Sequence, residues 1–319
     1  MPVLQHYDFN PRFAYKNPHV STFYPYFLRK FKNLPYSRQR EELPDGDFID
    51  IDWMHADSKN NLVVLLHGLE GSSESQYVRG SAELLFDQGW NVCAINHRSC
   101  SGVLNRNLEM YHSGFTKDLA FIIEKYSKIY QQILIVGFSL GGNMALKYLG
   151  EGSYIIPSQV KMAVAYSVPT DLEGGSLQLT QWYNKAYTFE FLKTLKSKMR
   201  LKATVFPQID LSHLSKLKQL IDFDEYYTAY LHGFKDAKDY YRQCNSKQFL
   251  SNINHIPTFL INALDDPFLS ASCHPFDIAD ASSYFHFIPL RYGGHVGFVK
   301  DRNSYFSEAI LLDLINKYL

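Results

Sequence analysis

Gly137-Phe138-Ser139-Leu140-Gly141 sets a serine between two glycines, and what brackets it gives it weight. The apolar, β-branched run Ile133-Leu134-Ile135-Val136 precedes it, and Gly142-Asn143-Met144-Ala145-Leu146-Lys147-Tyr148-Leu149 follows and reads as the start of a helix. A G-x-S-x-G pentapeptide between a strand and a helix is a nucleophile elbow, a turn sharp enough to lift the serine hydroxyl above the sheet. The flanking glycines fit, because side chains there would clash with the adjoining strand and helix. The chemistry on offer is nucleophilic attack by a serine. A serine is a poor nucleophile until a base takes its proton and a third group orients that base.

In elbow proteins these groups follow in the order Ser, then Asp or Glu, then His. Pro257-Thr258-Phe259-Leu260-Ile261-Asn262 reads as a strand running into Ala263-Leu264-Asp265-Asp266-Pro267, and the end of such a strand is the expected seat of the acid. Phe285 to Leu290 reads as another strand, followed by Gly293-Gly294-His295-Val296-Gly297-Phe298. Among twelve histidines, His295 follows the final strand, where the base belongs. His286 alternates within a strand, His274 lies beyond the acid turn, and His112 precedes the elbow. Asp266 is favoured as the orienting acid. Counted from Pro257, it falls on the aspartate of sequences resembling P-T-h-h-h-h-G-x-x-D, with Ala263 at the glycine position. Asp265 stays open as the alternative, or as a residue that caps or braces the turn.

Attack on a carbonyl also needs N–H donors aimed at the oxyanion. One should be the N–H after the nucleophile, that of Leu140, and the other should come from the loop after an earlier strand. Leu62 to Leu66 is that strand, His67-Gly68-Leu69-Glu70-Gly71-Ser72-Ser73 is the loop, and Leu69 N–H is the expected second donor. His67 reads as a side chain that braces this loop rather than as a base.

These residues need a scaffold that places strand ends side by side. From about residue 47 strand and helix patterns alternate. Phe48–Trp53 is preceded by a strand at Gln39–Leu43 and followed by Leu62–Leu66, a helix near Glu74–Gln88, Asn91–Asn96, a helix within Gly114–Tyr130, the elbow and Val160–Val168. Such alternation predicts an α/β protein with a mostly parallel central sheet flanked by helices. Between Val168 and Pro257 it stops. That insert carries helix-like pieces at Leu177–Met199, Leu214–Leu220 and Ala237–Gln243, and many aromatics, among them Trp182, Tyr187, Phe191, Phe223 and Tyr241. The predicted organisation is an N-terminal extension over 1–46 packing on the body, a core over 47–168 and 257–319, and a helical lid over 169–256. Most lid aromatics are expected to pack it on the body, with some facing an apolar acyl pocket.

Composition narrows the function classes. Of 319 residues 46% are apolar and 20% charged, with no net charge, so neither disorder nor a nucleic-acid partner is indicated. No apolar signal segment follows Met1, and no apolar run approaches the roughly 20 residues of a membrane span. Cys93, Cys100, Cys244 and Cys273 are scattered without metal-ligand spacing, which fits a reducing cytoplasm and predicts neither a disulfide framework nor a metal site. Cys100 as a catalytic thiol would need a base of its own. Tyr24 to Phe31 could lie at an interface, though packing on the body or lid is the simpler expectation.

The chain resembles the YheT-like branch of the α/β-hydrolase superfamily. The resemblance is carried by Asn17-Pro18-His19, Glu42 to Phe48, His67-Gly68-Leu69-Glu70-Gly71, Asn96 to Gly102, Tyr111-His112-Ser113-Gly114, Phe223-Asp224, Gly233-Phe234 and Asp239-Tyr240-Tyr241, besides the acid and histidine loops. It implies an α/β-hydrolase fold and hydrolysis of carboxylic esters, lipid-derived ones included, with no cofactor and with a small-molecule ester as partner. Some relatives transfer the acyl group to an alcohol instead, and a non-catalytic binding role is the remaining alternative. Dehalogenase or epoxide-hydrolase chemistry is disfavoured, because such relatives carry Asp where Ser139 stands. Two departures concern substrate details: Ser99 where many relatives carry glycine, and Ser21 where glutamine is usual.

Overall fold

Leu62, Val64 and Leu66 pack on one face of a sheet and Val63 and Leu65 on the other, all of them buried. A strand buried on both faces reads as a continuous apolar run, as these do. In the computed structural model, which describes residues 3–31, 33–57 and 60–319, eight strands form one sheet. They are β1 (Ser37–Glu42), β2 (Phe48–Met54), β3 (Asn61–Leu66), β4 (Asn91–Asn96), β5 (Gln132–Phe138), β6 (Val160–Tyr166), β7 (Thr258–Ala263) and β8 (Phe285–Leu290). Their spatial order is β1-β2-β4-β3-β5-β6-β7-β8. The β1/β2 and β2/β4 pairs are antiparallel and the rest parallel, so β3 through β8 end at one rim.

Helices Lys117–Ser127 and Leu140–Gly150 cover one face through Leu119, Ile122, Ile123, Ala145, Leu146 and Leu149. Gln76–Asp87 and Phe306–Tyr318 cover the other through Val78, Leu85, Ile310 and Leu314. The expected mostly parallel α/β architecture is present. Strand β1 draws residues 37–42 of the N-terminal stretch into the sheet itself. Every residue of β2 is buried, its acids included. Asp50 and Asp52 are covered by Arg40 and Arg38 of β1, at 2.8 and 2.7 Å.

Between β6 and β7 the chain is helical, but two expected segments differ. The single helix expected over Leu177–Met199 is instead Leu172–Leu179, a 3₁₀ turn at Trp182–Asn184 and a long helix, Lys185–Val205. The break is held by Asn184, whose amide donates to the carbonyls of Gln178 and Pro267. The helix expected over Leu214–Leu220 is a run of turns, and helix starts only at Leu220. Asp222 causes the delay by accepting from the Lys218 and Gln219 N–H groups, which fixes a helix start there. Ala237–Cys244 is a helix as expected. Leu192, Leu195 and Met199 of the long helix pack with Phe223 and Leu231 onto Leu140 and Met144 of the elbow helix. The insert therefore sits on the element that carries the serine.

Candidate active site

Ser139 lies between β5 and the Leu140–Gly150 helix with φ +53°, a left-handed conformation that is strained for a residue with a side chain. The tight turn explains its neighbours. A Cβ on Gly137 would come within 2.6 Å of the Gly141 carbonyl oxygen, and one on Gly141 within 2.5 Å of the Leu66 oxygen. Leu140 is the first helical residue, so its N–H has no acceptor within the helix.

His295 lies beyond β8, with Nε2 3.0 Å from Ser139 Oγ. Its Nδ1 lies 2.9 and 3.1 Å from the two Asp266 oxygens. The Phe268 N–H also donates to Asp266 at 2.8 Å, and the Phe268 ring stacks on the imidazole at 4.1 Å. Since Nδ1 donates to a carboxylate, Nε2 is the nitrogen free to accept the serine proton. The structure thus brings Ser139, His295 and Asp266 together. Asp265 turns the other way and accepts from the Gly294 N–H at 3.0 Å. Burial, with the charge of Asp266, pushes the Asp265 acid up to about 6 against that hydrogen bond.

Leu69 and Leu140 line the same cavity as Ser139 and His295. Gly68, just before Leu69, runs past the serine: a Cβ there would lie 3.2 Å from Ser139 Cβ. His67 is used up in its loop, with Nδ1 2.7 Å from the Gly68 oxygen and Nε2 accepting from the His97 N–H. Burial holds the His67 ring well below its usual pKa. The Cys100 thiol is pushed up to about 11 by burial, which leaves it protonated and a weak nucleophile. His274 and His286 stack on Phe287 and Phe259 and do not line the cavity. His112 does line it, though burial keeps that ring neutral.

Two contributions are absent from the sequence reading. Thr22, on the helix Pro18–Leu28, accepts from the His295 N–H at 2.9 Å, and Ser21 donates to the Gly293 oxygen at 2.9 Å. The N-terminal helix therefore braces the histidine loop. Its start is legible in Asn17-Pro18, where Asn17 accepts from the His19 and Val20 N–H groups, but its destination is not. Phe23 stacks on Tyr187 of the insert, while Tyr26, Phe27 and Leu28 are exposed. The second contribution is a polar cluster on the cavity wall, with Asp224, Thr228, Tyr241 and Ser176 among its lining. Of the insert aromatics, Phe191, Phe223, Tyr240 and Tyr241 face the cavity, while Trp182 and Phe189 are exposed. Among the described residues no group of histidine, cysteine and acidic side chains could hold a metal ion, and no helix is long and apolar enough to cross a membrane.

Comparison with known proteins places this geometry. Residues 61–275 match the family profile described as alpha/beta hydrolase fold. The chain is 36% identical over 302 residues to the Escherichia coli protein named "Putative esterase YheT", covering 92% of this chain and 87% of that one. It is 28% identical to cattle phospholipase ABHD3, covering 86% and 70% of the two chains. It is 26% identical to the Saccharomyces cerevisiae monoacylglycerol lipase, covering 79% of this chain but 58% of that longer one. Among solved structures, the Pyrococcus furiosus esterase Pf2001 superposes with a TM-score of 0.61 at 16% identity, covering 90% and 91% of the chains, a likeness of fold. This chain belongs to the α/β-hydrolase fold family, in its YheT-like branch, and is an enzyme of the serine-hydrolase type.

Proposed function

We propose that the chain hydrolyses carboxylic esters with apolar acyl groups through an acyl-enzyme on Ser139. The observation that carries this reading is the single imidazole shared by Ser139 at 3.0 Å and Asp266 at 2.9 Å. Ser139 Oγ attacks the acyl carbonyl as its proton passes to His295 Nε2, and Asp266 holds the resulting imidazolium. The Leu69 and Leu140 N–H groups receive the oxyanion. Collapse of the tetrahedral intermediate expels the alcohol, which takes the proton from His295. Water, deprotonated by the same nitrogen, then attacks the acyl-enzyme, and the acid leaves as Ser139 recovers its proton.

Residues 169–256 act as the lid in this reading, because Leu179, Phe191, Leu195 and Phe223 supply apolar surface to the cavity that holds Ser139. A cytoplasmic location fits the four cysteines, all of them free thiols. Labelling by a serine-directed fluorophosphonate tests the assignment, since only an activated serine reacts. Wild type should label and hydrolyse p-nitrophenyl esters. Ser139→Ala should do neither while keeping its melting temperature. A Ser139→Ala variant retaining more than about a tenth of wild-type kcat would overturn it.

A further inference from the structure

The cavity that holds Ser139 is mostly hydrocarbon, yet one contiguous polar cluster interrupts its wall. Tyr241 Oη donates to Asp224 Oδ2 at 2.7 Å and Thr228 Oγ1 donates to Asp224 Oδ1 at 2.7 Å. Ser176 Oγ lies 3.1 Å from the same Tyr241 oxygen. A phenol has one proton, so once it is given to Asp224, Ser176 is the donor in that third contact. An ionised carboxylate offers about four acceptor sites. One hydrogen bond to each oxygen leaves capacity for a ligand, and Asp224 is half-buried and lines the cavity.

Among the described residues the charge has no counter-charge. Burial pushes the Asp224 acid up to about 6 against the two hydroxyl bonds, and among the described residues no basic side chain pairs with it. At neutral pH this is an ionised group with neutral partners only, a costly arrangement in an apolar wall. The backbone is unusual here as well. Asp224–Thr228 forms a π turn inside the helical stretch 220–232, a local irregularity frequently found at functional sites. The cluster also joins three pieces of the insert, through Ser176, Asp224 and Tyr241. A brace alone would not require a carboxylate at the cavity surface.

Two neighbouring cavity residues, His112 and His232, are held neutral by burial, with His232 down to about 4. A cation placed here would lose its water to a largely apolar lining with a single acid in return. A neutral hydroxyl loses far less and gains a charge-assisted hydrogen bond. We propose that Asp224 is a substrate-recognition residue, accepting a hydrogen bond from a hydroxyl on the ester while the hydrocarbon part fills the apolar wall near Ser139. This inference rests on the cavity being the ester-binding site. The hydroxyl is carried either by the acyl chain or by the alcohol part, and the chemistry at Asp224 is the same.

The test compares kcat/KM within matched pairs. One arm sets p-nitrophenyl octanoate against a series of p-nitrophenyl hydroxyoctanoates, and the other sets propyl octanoate against its hydroxypropyl counterpart. Wild type should favour the hydroxylated ester by about tenfold or more in one arm, which identifies the part that carries the hydroxyl. Asp224→Asn should bring that ratio toward one, whatever loss it causes to both esters. A wild-type ratio near one in both arms overturns the proposal without any variant. A preference that survives in a folded Asp224→Asn protein overturns it as well. An aminopropyl ester preferred over the hydroxypropyl ester through Asp224 replaces the hydroxyl by a cation and overturns the assignment. If neither the plain nor the hydroxylated esters turn over, the hydrolase reading itself fails and this inference falls with it.

Discussion

Lys198 Nζ lies 2.6 Å from Glu70 Oε1, which joins the long helix of the insert to the residue that follows Leu69. Both side chains are largely buried. Tyr111 donates to the same carboxylate at 2.7 Å and accepts from the Glu70 N–H at 2.8 Å. Glu70 has φ +54°, a strained conformation that such contacts must hold in place. The loop that carries Leu69 is thus anchored from the insert as well as from the body.

Loosening this anchor should lower kcat more than it raises KM, because an oxyanion donor acts on the transition state. Removing such a donor outright costs about 10²- to 10³-fold. Displacing it through Lys198→Met or Glu70→Gln should cost about tenfold, with KM within about threefold of wild type. Steady-state kinetics on one ester check this. A fall in melting temperature with unchanged kcat would make the ion pair purely structural.

The two adjacent acids should separate cleanly. Asp266→Asn should cost on the order of 10⁴ in kcat by favouring the wrong imidazole tautomer, while Asp265→Asn leaves kcat within about tenfold of wild type. The reverse pattern would move the orienting role to Asp265.

Asp265 should also leave a signature in stability against pH. Its folded-state acid sits at about 6, above the ~3.9 of an unfolded aspartate, so the folded chain holds the proton more tightly. The stability this contributes is complete below about pH 4 and is lost as pH rises through 6. The difference between wild type and Asp265→Asn in denaturant melts should therefore shrink from pH 4 to pH 7. A constant difference would show that the group does not titrate in that window.

Acyl-chain selectivity measures the cavity. Each methylene buried against Phe191, Leu195 and Phe223 is worth up to ~0.8 kcal/mol, about a fourfold gain in kcat/KM. Acetyl, butyryl, hexanoyl and octanoyl esters of one leaving group should rise in kcat/KM until the cavity is full. A flat profile, or a fall from acetate onward, would rule out an acyl-binding cavity.

What was legible in the sequence was what short stretches of chain fix by their own sterics and periodicity. The elbow belongs here: a strand, a left-handed serine and a helix leave no room for a Cβ at Gly137 or Gly141, so the glycines announce the turn. The strands β3 to β8 belong here too, because burial in a covered sheet demands mostly apolar runs, and their alternation with helices implied the parallel sheet. Chain order then pointed to His295 and to the acid pair. Between Asp265 and Asp266 the sequence favoured Asp266 but left Asp265 open, since neighbouring residues in a turn point in different directions and only the packed loop shows which carboxylate meets Nδ1. Ser99 has φ +64°, a conformation that favours glycine, and its hydroxyl bonds to Asn105 that accompany this conformation span two ends of a loop. Thr22 behind His295, Lys198 on Glu70, and Asp224 on the cavity wall all depend on segments distant in the chain or on an insert whose helices begin and end where side chains such as Asn184 and Asp222 capture backbone groups. Local pattern fixes the elements and the order of the reactive groups. The contacts that position those groups, and the polar patch on the cavity wall, come only from the close packing of elements that no periodicity relates.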